Sequence, residues 1–423
     1  MTILFFVLSA LTLSACLIYA GTIAIRHLSY IIQAKDLHQQ ERQLLSDQIA
    51  RLTDPVGIVQ SKSDRLAWAG FRKFVVQGKI LESEGICSFY FIPHDKKPLP
   101  PFLPGQYLTF RINVPGQKNL VTRCYSLSDS PNHPDYYRVT VKKIPPPRDK
   151  PELNPGLLSN YFHQKLNADD IVDIKAPSGQ FYLDAERMDP VVLIGGGIGL
   201  TPVLSMLNHI VTTGAHRETW IFYGIRNSSE HVMMDHLVSI NNEHENINLA
   251  VCYSDPMPDD LLGKHYDHAE RVSVELFKRV LPSNNYEFYI CGPPPMMDSI
   301  TNDLSKWGVP DSKIHFEAFG PATVKKVVSH EATLIAQTSG ISINFAKSKT
   351  DVVWNGMSSC LLDFAESSGI AMESGCRAGN CGTCSIAIRS GEVEYLSAPG
   401  ATVEQGSCLT CISVPKTDLV LDA

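Results

Sequence analysis

The sequence has no excess of positive charge, and its number of cysteines is odd. Its 423 residues carry 37 Lys and Arg against 44 Asp and Glu, which gives a formal net charge of −7. This balance argues against a nucleic acid as a partner. The 11 cysteines are an odd number in a long chain, so a reducing compartment is expected rather than a disulfide framework. Because 44% of the residues are hydrophobic, disorder is not expected, and the length predicts two or three domains.

Charged side chains are also missing from residues 3–25, a run dominated by Leu, Ile, Phe, Val and Ala. The run is long enough to cross a bilayer once. Since the first charges, Arg26 and Lys35, follow it, the positive-inside rule places the remaining chain on the cytoplasmic side. We therefore expect a single-pass anchor in a bacterial inner membrane, with soluble cytoplasmic domains. The alternatives are a cleaved signal peptide, although no basic segment precedes the run, and a lipoprotein signal, because residues 13–16 resemble a cleavage box ending at Cys16.

Residues 26–64 predict a helical stalk or linker behind the anchor. The apolar residues Leu45, Ile49 and Leu52 recur on one helical face, and Pro55 ends the pattern. The apolar seam is too short for clean heptads, so a spacer is preferred over a dimerising stalk.

Three cysteines lie close together near the C-terminus in the order Cys-x4-Cys-x2-Cys: Cys376, Cys381 and Cys384. On a glycine-rich loop, this is the spacing of a plant-type [2Fe-2S] site. A structural zinc site is the alternative, but zinc ligands usually come from two separated knuckles, whereas three ligands share one loop here. Residues 340–423 resemble plant-type ferredoxins, which have a β-grasp fold and carry the last ligand directly after Leu-Thr. The resemblance implies Cys411 as the fourth ligand and leaves Cys408 spare.

From Trp68 onward, short β-rich runs alternate with Pro and Gly. Short strands at this spacing predict a small antiparallel barrel over residues 65–189. Within it, the guanidinium of Arg123 can hold a pyrophosphate as a charge-assisted fork. Residues 156–159 open a helix, whose free backbone N–H groups offer a second pyrophosphate cradle with Ser159 as the cap.

Three segments of the predicted barrel resemble, in order, the flavin domain of the ferredoxin-NADP reductase superfamily: residues 104–107, 123–128 and 155–161. Residues 68–74 resemble most closely the reductase half of flavohemoglobins, although no globin precedes them in this chain. The resemblance implies that the following residues bind the flavin: Tyr107, Arg123, Cys124, Tyr125, Ser126, Val141, Lys142, Gly156, Leu157, Leu158 and Ser159. It places Tyr125 on the isoalloxazine face, Ser126 at N5, and Tyr107 near the adenine side, which favours FAD over FMN.

Residues 190–321 predict a second unit that binds a nicotinamide nucleotide. A buried-strand run at 191–194 is followed by a glycine turn and a helix that starts near Thr201 and Pro202, which together form a dinucleotide phosphate site. The turn lacks the Gly-x-Gly-x-x-Gly fingerprint. It resembles instead the glycine loop of the same reductase superfamily. Further strand-like runs alternate with helical segments, so we expect a parallel sheet with its ligand at the carboxyl ends of the strands.

The superfamily resemblance also implies the residues of the nicotinamide site: Gly196, Gly197, Gly199, Thr201, Pro202, Arg226, Cys291 and Gly292. Four residues are implied in catalysis, with Cys291 and Ser126 near the hydride path, Phe319 stacked on the flavin and Glu317 as a partner of Ser126. The plain alternatives are a buried core thiol for Cys291 and a core ring for Phe319. Arg226 follows the second strand and could bind the 2′-phosphate of NADPH, but flavohemoglobin-like chains with a basic residue there often prefer NADH, which we expect here.

These patterns predict a membrane-anchored oxidoreductase in which NADH or NADPH reduces FAD, FAD reduces the [2Fe-2S] cluster, and a partner protein such as an oxygenase or desaturase takes the electrons. Residues 322–339 are expected to be a linker. From Gly340 onward, nine acidic and five basic residues give a net charge of −4, which suits docking of a basic partner. A quinone-reducing respiratory component and a membrane redox sensor are the alternatives.

Overall fold

The computed structural model describes residues 68–117, 120–146, 151–152, 154–319, 340–379, 381–397, 399–401 and 403–423. The predicted anchor (3–25), stalk (26–64) and linker (322–339) lie outside these residues. Within the described part of the chain, no helix combines the length and the apolar character needed to cross a bilayer. All the described residues belong to one unit of the chain, Val59–Ala423.

The first domain is an antiparallel six-stranded sheet in the order β4-β3-β6-β1-β2-β5. Its strands are β1 Arg72–Ser83, β2 Ile86–Pro93, β3 Tyr107–Ile112, β4 Val121–Ser126, β5 Tyr137–Lys142 and β6 Ile171–Ile174. One helix, α1 Leu157–Gln164, precedes β6. An antiparallel bridge joins Leu127, directly after β4, to Val139 in β5. This bridge links the two edge strands, so the sheet curls on itself around an apolar core, as the alternating strands predicted.

The second domain is a five-stranded parallel sheet in the order β11-β10-β7-β8-β9. The strands are β7 Val191–Gly196, β8 Thr219–Ile225, β9 Ile247–Tyr253, β10 Glu287–Cys291 and β11 Ile314–Glu317. The helices are α2 Leu200–Thr213, α3 Met234–Glu243, α4 Val274–Val280 and α5 Pro294–Lys306. Leu193 enters one apolar core and Ile194 the other, so both faces of the sheet are covered. That explains why β7 is a continuous apolar run.

The third domain is a mixed sheet in the order β13-β12-β18-β14-β16, with a separate two-stranded sheet of β15 and β17. The strands are β12 Ser342–Phe345, β13 Thr350–Val353, β14 Ser385–Ser390, β15 Val393–Tyr395, β16 Ser407–Leu409, β17 Ser413–Pro415 and β18 Leu419–Leu421. The helix α6, Leu361–Ser367, buries Leu361 and Phe364 against this sheet. The cysteine motif lies on the loop between α6 and β14. We call residues 375–384 the cluster loop.

Candidate active site

A cavity of about 350 Å³ lies where the barrel meets the nucleotide domain. The predicted residues in its wall are Arg123, Cys124, Tyr125, Ser126, Val141, Lys142, Gly156, Leu157, Leu158, Ser159, Thr201 and Phe319. The sequence prediction missed Thr140, Ile144 and Ile198, which complete the wall. Each of them lies within two positions of a predicted residue, and this proximity was the signal that could have identified them.

The N-terminal end of α1 forms one side of this cavity. A side chain at Gly156 would come within 2.8 Å of both Ile144 Cβ and Ser159 Oγ, so a glycine is needed there. The prediction that Ser159 caps the helix is wrong, because its hydroxyl donates to the Gly156 carbonyl at 3.1 Å and accepts the Ile144 N–H at 3.4 Å. Since α1 has no side-chain cap, its first N–H groups remain available to a pyrophosphate.

Arg123 and Tyr125 occupy the β4 side of the cavity. Arg123 Nη1 donates to the carbonyls of Thr122 and Gly375, at 2.7 and 3.0 Å. The other guanidinium N–H groups can therefore serve a phosphate. Tyr125 is held from behind by the barrel core, with its ring centroid 5.0 Å from that of Phe162. A ring supported in this way can present its face to a flat ligand.

The nucleotide end of the site lies at the carboxyl edge of the parallel sheet. Gly195, Cys291 and Glu317 are neighbours across β7, β10 and β11. The predicted Gly196, Gly197 and Gly199 form the turn into α2, which contains Thr201 and Pro202. A side chain at Gly199 would lie 2.3 Å from the Cys291 carbonyl oxygen. The glycine turn therefore brings the start of α2 against the strand end that carries the predicted catalytic thiol, with Gly292 directly after it.

Ser126 and Glu317 are buried polar residues at this junction. Among the described residues, Ser126 Oγ and Glu317 Oε2 have no hydrogen-bond partner. Burial raises the pKa of Glu317 to about 8, and the nearby Ser126 hydroxyl offsets part of this shift. Buried polar atoms without partners are costly unless a ligand satisfies them. An isoalloxazine ring with its polar nitrogen and oxygen atoms fits this need, so the residues present suit the predicted FAD.

Phe319 follows Glu317 and is not a core residue. Its side chain is 40% exposed, and it borders the cavity opposite the barrel wall. That position allows the ring to cover a bound flavin, as the resemblance implied. Burial and the neighbouring Glu317 raise the pKa of Cys291, which is fully buried. Cys291 therefore remains a neutral thiol at the end of β10.

The four predicted cluster cysteines form two pairs. Cys384 Sγ and Cys411 Sγ lie 3.1 Å apart. Cys376 and Cys381 exchange backbone N–H to sulfur hydrogen bonds of 3.3 and 3.2 Å. Two pairs of thiols suit two irons better than one tetrahedral zinc.

Further backbone N–H groups of the cluster loop point at these sulfurs. Ala378 donates to Cys376 Sγ at 3.4 Å, and Gly379 donates to Cys411 Sγ at 3.3 Å. Such donors stabilise thiolates, so the loop fits a [2Fe-2S] cluster. The choice of the fourth ligand agrees with this geometry, because Cys408 packs in the core of the ferredoxin domain whereas Cys411 packs beside Cys384.

A second cavity, of about 180 Å³, separates the barrel from the cluster loop. Its wall includes Gly375, Cys376, Arg377 and Ala378 of that loop. It shares four residues with the larger cavity: Arg123, Cys124, Ser126 and Phe319. The flavin pocket and the cluster loop therefore have a common wall.

Tyr107 and Arg226 are among the predicted residues that lie away from the larger cavity. Tyr107 is 2% exposed and borders the second cavity, where burial raises its pKa. Arg226 follows β8, and its Nε and Nη2 donate to Asp255 Oδ2 at 3.0 and 2.8 Å. The sequence prediction missed Asp255, which follows β9 at the same edge of the sheet, and it missed Lys175, whose Nζ donates to the Cys381 carbonyl at 3.2 Å. Each contact joins distant segments, so no local pattern indicated it.

Three family matches cover the described domains. Residues 73–182 match the oxidoreductase FAD-binding domain, residues 193–302 the oxidoreductase NAD-binding domain, and residues 346–416 the 2Fe-2S iron-sulfur cluster binding domain. Each match lies inside the corresponding predicted domain. Together they support FAD, NAD(P)H and a [2Fe-2S] cluster as the cofactors.

Known relatives cover different parts of the chain. The flavohemoprotein of Halalkalibacterium halodurans is 40% identical over 60% of this chain, which spans 61% of that protein's length. A flavohemoglobin-like FAD/NAD-binding domain of nitric oxide dioxygenase from Vibrio cholerae is 32% identical, with a TM-score of 0.52, and covers 60% of this chain and 100% of its own.

Phthalate dioxygenase reductase extends the similarity to the cluster domain. Its structure is 25% identical with a TM-score of 0.52, and it covers 84% of this chain and 98% of its own. That protein has a modular structure for electron transfer from pyridine nucleotides to [2Fe-2S]. The chain thus belongs to the ferredoxin-NADP reductase family, with FAD- and NAD-binding domains fused to a [2Fe-2S] ferredoxin domain.

Proposed function

We propose that this chain passes electrons from NADH through FAD and its own cluster to a partner protein, such as an oxygenase or desaturase. The common wall between the flavin pocket and the cluster loop is the observation that carries the proposal. A cluster that shares four wall residues with the flavin pocket is in place to receive electrons directly. The likeness to phthalate dioxygenase reductase, which by its name serves a dioxygenase, supports an acceptor of this class.

Bound FAD would take a hydride from the nicotinamide and release its two electrons one at a time, which a [2Fe-2S] cluster requires. The residues of this chain would hold and orient the cofactor. Arg123 and the N-terminal end of α1 hold the pyrophosphate, and Tyr125 supports the ring. Phe319 covers the pocket and excludes water from the hydride path. Glu317, with its raised pKa, carries a proton near neutral pH and so adds no negative charge beside a ring that gains electrons.

We propose NADH as the preferred donor. Arg226 is engaged by the carboxylate of Asp255 through both Nε and Nη2. A guanidinium in this ion pair is less available to the 2′-phosphate of NADPH, and the carboxylate itself repels that phosphate. The pair lies at the carboxyl ends of neighbouring strands, where nucleotides bind in open parallel sheets.

We also propose that residues 3–25 anchor the chain in a bacterial inner membrane, with the cofactor domains in the cytoplasm. The uncharged run and the first charges, at Arg26 and Lys35, support this proposal. Washed membranes from cells that make the full chain should therefore retain the NADH-dependent ferricyanide reduction. Recovery of that activity in the wash at high pH would contradict the anchor.

The same membranes test the electron route with Cys381→Ser. The change should remove the cluster and leave the flavin and nucleotide domains folded, because the predicted flavin and nicotinamide residues all precede residue 320. Ferricyanide reduction, which needs only the flavin, should persist. Reduction of cytochrome c, a bulky one-electron acceptor that we expect to dock at the acidic cluster domain, should fall at least tenfold, the factor that corresponds to about 1.4 kcal/mol in a barrier.

The outcome against the proposal is equally clear. If the Cys381→Ser protein reduces cytochrome c as fast as the parent, electrons leave from the flavin, and the cluster has a structural or sensing role. Cys252→Ala is the matched control, since that buried thiol lies in β9 of the nucleotide sheet. It should leave both acceptor rates unchanged.

A further inference from the structure

Cys124 is the residue of the barrel that contacts the cluster ligands. Strand alternation places Thr122 and Cys124 on one face of β4. A side chain at Gly375 of the cluster loop would lie 3.2 Å from Thr122 Cγ2, so this face of β4 meets the loop. Cys124 and Cys376 border the same cavity, and the Cys124 thiol is within hydrogen-bonding reach of the thiols of Cys376 and Cys381. The two sequence neighbours of Cys124 line the flavin pocket, so this single residue adjoins both cofactor sites.

The direction of these hydrogen bonds follows from the chemistry of the ligands. Cys376 and Cys381 must be thiolates to bind iron, and a thiolate can only accept. The hydrogen therefore comes from Cys124. Thr109 lies directly opposite Cys124 in the β3–β4 pair, and its Oγ1 is 3.4 Å from Cys124 Sγ. With the S–H directed at the ligands, the Thr109 hydroxyl is left to donate to the Cys124 sulfur.

Two barrel cations hold the loop against this thiol. Arg123 donates to the Gly375 carbonyl at 3.0 Å, and Lys175 donates to the Cys381 carbonyl at 3.2 Å. The Lys175 backbone N–H donates in turn to the Thr109 carbonyl at 2.9 Å. These two hydrogen bonds fix the loop at Gly375 and at Cys381, next to the Cys376–Cys381 pair, and so hold the two sulfurs near Cys124.

We propose that Cys124, supported by Thr109, is a positioning residue of the flavin domain that donates its single S–H as a hydrogen bond shared between the Cys376 and Cys381 sulfurs and thereby raises the reduction potential of the cluster. Hydrogen bonds to ligand sulfurs are one of the levers that set such potentials. A donor stabilises the reduced cluster more than the oxidised one, because reduction adds negative charge. The inference rests on the presence of the cluster and of the flavin route proposed above.

The test is a potentiometric titration of the purified holoprotein, followed by visible and EPR spectra of the cluster. Cys124→Ala should lower the midpoint potential, leaving roughly five- to tenfold less reduced cluster at a fixed potential. A tenfold change corresponds to about 59 mV for one electron. Cys124→Ser keeps a donor and should restore most of the potential. Thr109→Val leaves the thiol but removes the hydroxyl behind it, and should produce a smaller shift in the same direction.

Cys87→Ala is the matched control, because that buried thiol lies in β2 of the same barrel. It should leave the potential unchanged. An unchanged potential in Cys124→Ala would overturn the proposal, and so would equal shifts in Cys124→Ala and Cys124→Ser, since these would indicate packing alone. Loss of iron from both Cys124 variants with FAD retained would identify Cys124 as a ligand and overturn it as well. If neither Cys124 variant folds, an unchanged potential in Thr109→Val decides against it.

These results are distinct from those that test the proposed function. The Cys381→Ser experiment reports where electrons leave the protein, whereas the titration reports the equilibrium of the cluster in isolation from any acceptor. A cluster that fails to reduce cytochrome c can still show the shift. Equally, a cluster that passes electrons to the acceptor protein can show no shift in its midpoint potential in Cys124→Ala.

Discussion

Two buried cysteines, one at the end of a strand in the nucleotide domain and one in the cluster loop, have surroundings that give them opposite chemistry. Cys291, at the end of β10, is fully buried, and burial with the neighbouring Glu317 raises its pKa. Cys381, in the cluster loop, is 4% exposed, yet the hydrogen bond from Cys124 and the backbone N–H of Cys376 lower its pKa. In this pair, the hydrogen-bond donors around Cys381 offset the effect of burial, which acts unopposed on Cys291.

The same contrast extends to the backbone around each sulfur. The cluster loop turns its N–H groups inward, including that of Thr383 at 3.5 Å from Cys381 Sγ. The strand that carries Cys291 instead uses its backbone groups in the parallel sheet, where it pairs with β7 and β11. A regular strand leaves few donors for a side chain at its end, whereas an irregular loop can direct several at one point.

The largest effect should come from Gly199→Ala, which disturbs the packing of α2 against the end of β10 that carries Cys291. The added Cβ would lie 2.3 Å from the Cys291 carbonyl oxygen, so α2 and the end of β10 must separate. Overpacking of this kind costs about 1–3 kcal/mol or more. We expect a lower Tm and loss of flavin reduction by NADH, while the iron content of the cluster domain stays unchanged.

Gly78→Ala is the control for that change, since a Cβ there meets open space. Thermal unfolding, NADH-driven flavin bleaching and iron analysis on both proteins provide the measurement. Normal flavin reduction in Gly199→Ala would show that the close approach at Cys291 is not needed for the nucleotide site.

A smaller effect should follow from Glu317→Gln, which removes the acid that helps to raise the pKa of Cys291. Because Glu317 has a pKa of about 8 against an ordinary value of 4.5, its contribution to stability is fully present below about pH 4.5 and is lost as the pH rises through 8. The variant should match the parent near pH 4 and become the more stable of the two as the pH rises from about 4.5 to 8. Near pH 9 it should unfold at a higher temperature than the parent.

Ferricyanide reduction by NADH should follow the same pattern. In the parent, a carboxylate formed above pH 8 opposes the gain of electrons by the flavin, so the rate should decline, whereas the Glu317→Gln rate should stay flat. Glu245→Gln, at an exposed position, should behave as the parent. A parent profile with no change between pH 7 and 9 would contradict the raised pKa.

The smallest effect should come from Asp255→Asn, at the far edge of the sheet that carries Cys291. Removing this charge frees Arg226 and should raise kcat/KM for NADPH about fivefold, the factor that about 1 kcal/mol provides, with little change for NADH. The ion pair is exposed, with side-chain exposures of 42% and 63%, so stability should change by less than about 1 kcal/mol.

Asp259→Asn, in the same exposed loop, is the control for a general change in charge. An equal gain in NADPH use by both variants would remove the specific role of the ion pair. A parent that prefers NADPH by more than about tenfold, with the preference lost in Arg226→Ala, would reverse the assignment to NADH.

Local sequence patterns predicted the parts of the site that are built from neighbouring residues. The buried-strand run expected at residues 191–194 lies within β7, Val191–Gly196. The cluster spacing identified Cys376, Cys381 and Cys384, because ligands on one loop must follow the size of the cluster. The error at Ser159 has the same origin: a serine near a helix start has the composition of a cap, but its hydroxyl bonds to Gly156 and Ile144 instead.

The sequence by itself therefore predicted the three domains and, through loop spacing, the ligands Cys376, Cys381 and Cys384, whereas the flavin motifs and Cys411 came from the resemblance to known families. Only the tertiary structure decided that the flavin pocket and the cluster loop share a wall. Arg123 and Gly375, which are hydrogen-bonded, are 252 positions apart. The packing of separate domains sets such contacts through their surface shape and hydrogen bonds, and no local pattern of residues contains that information.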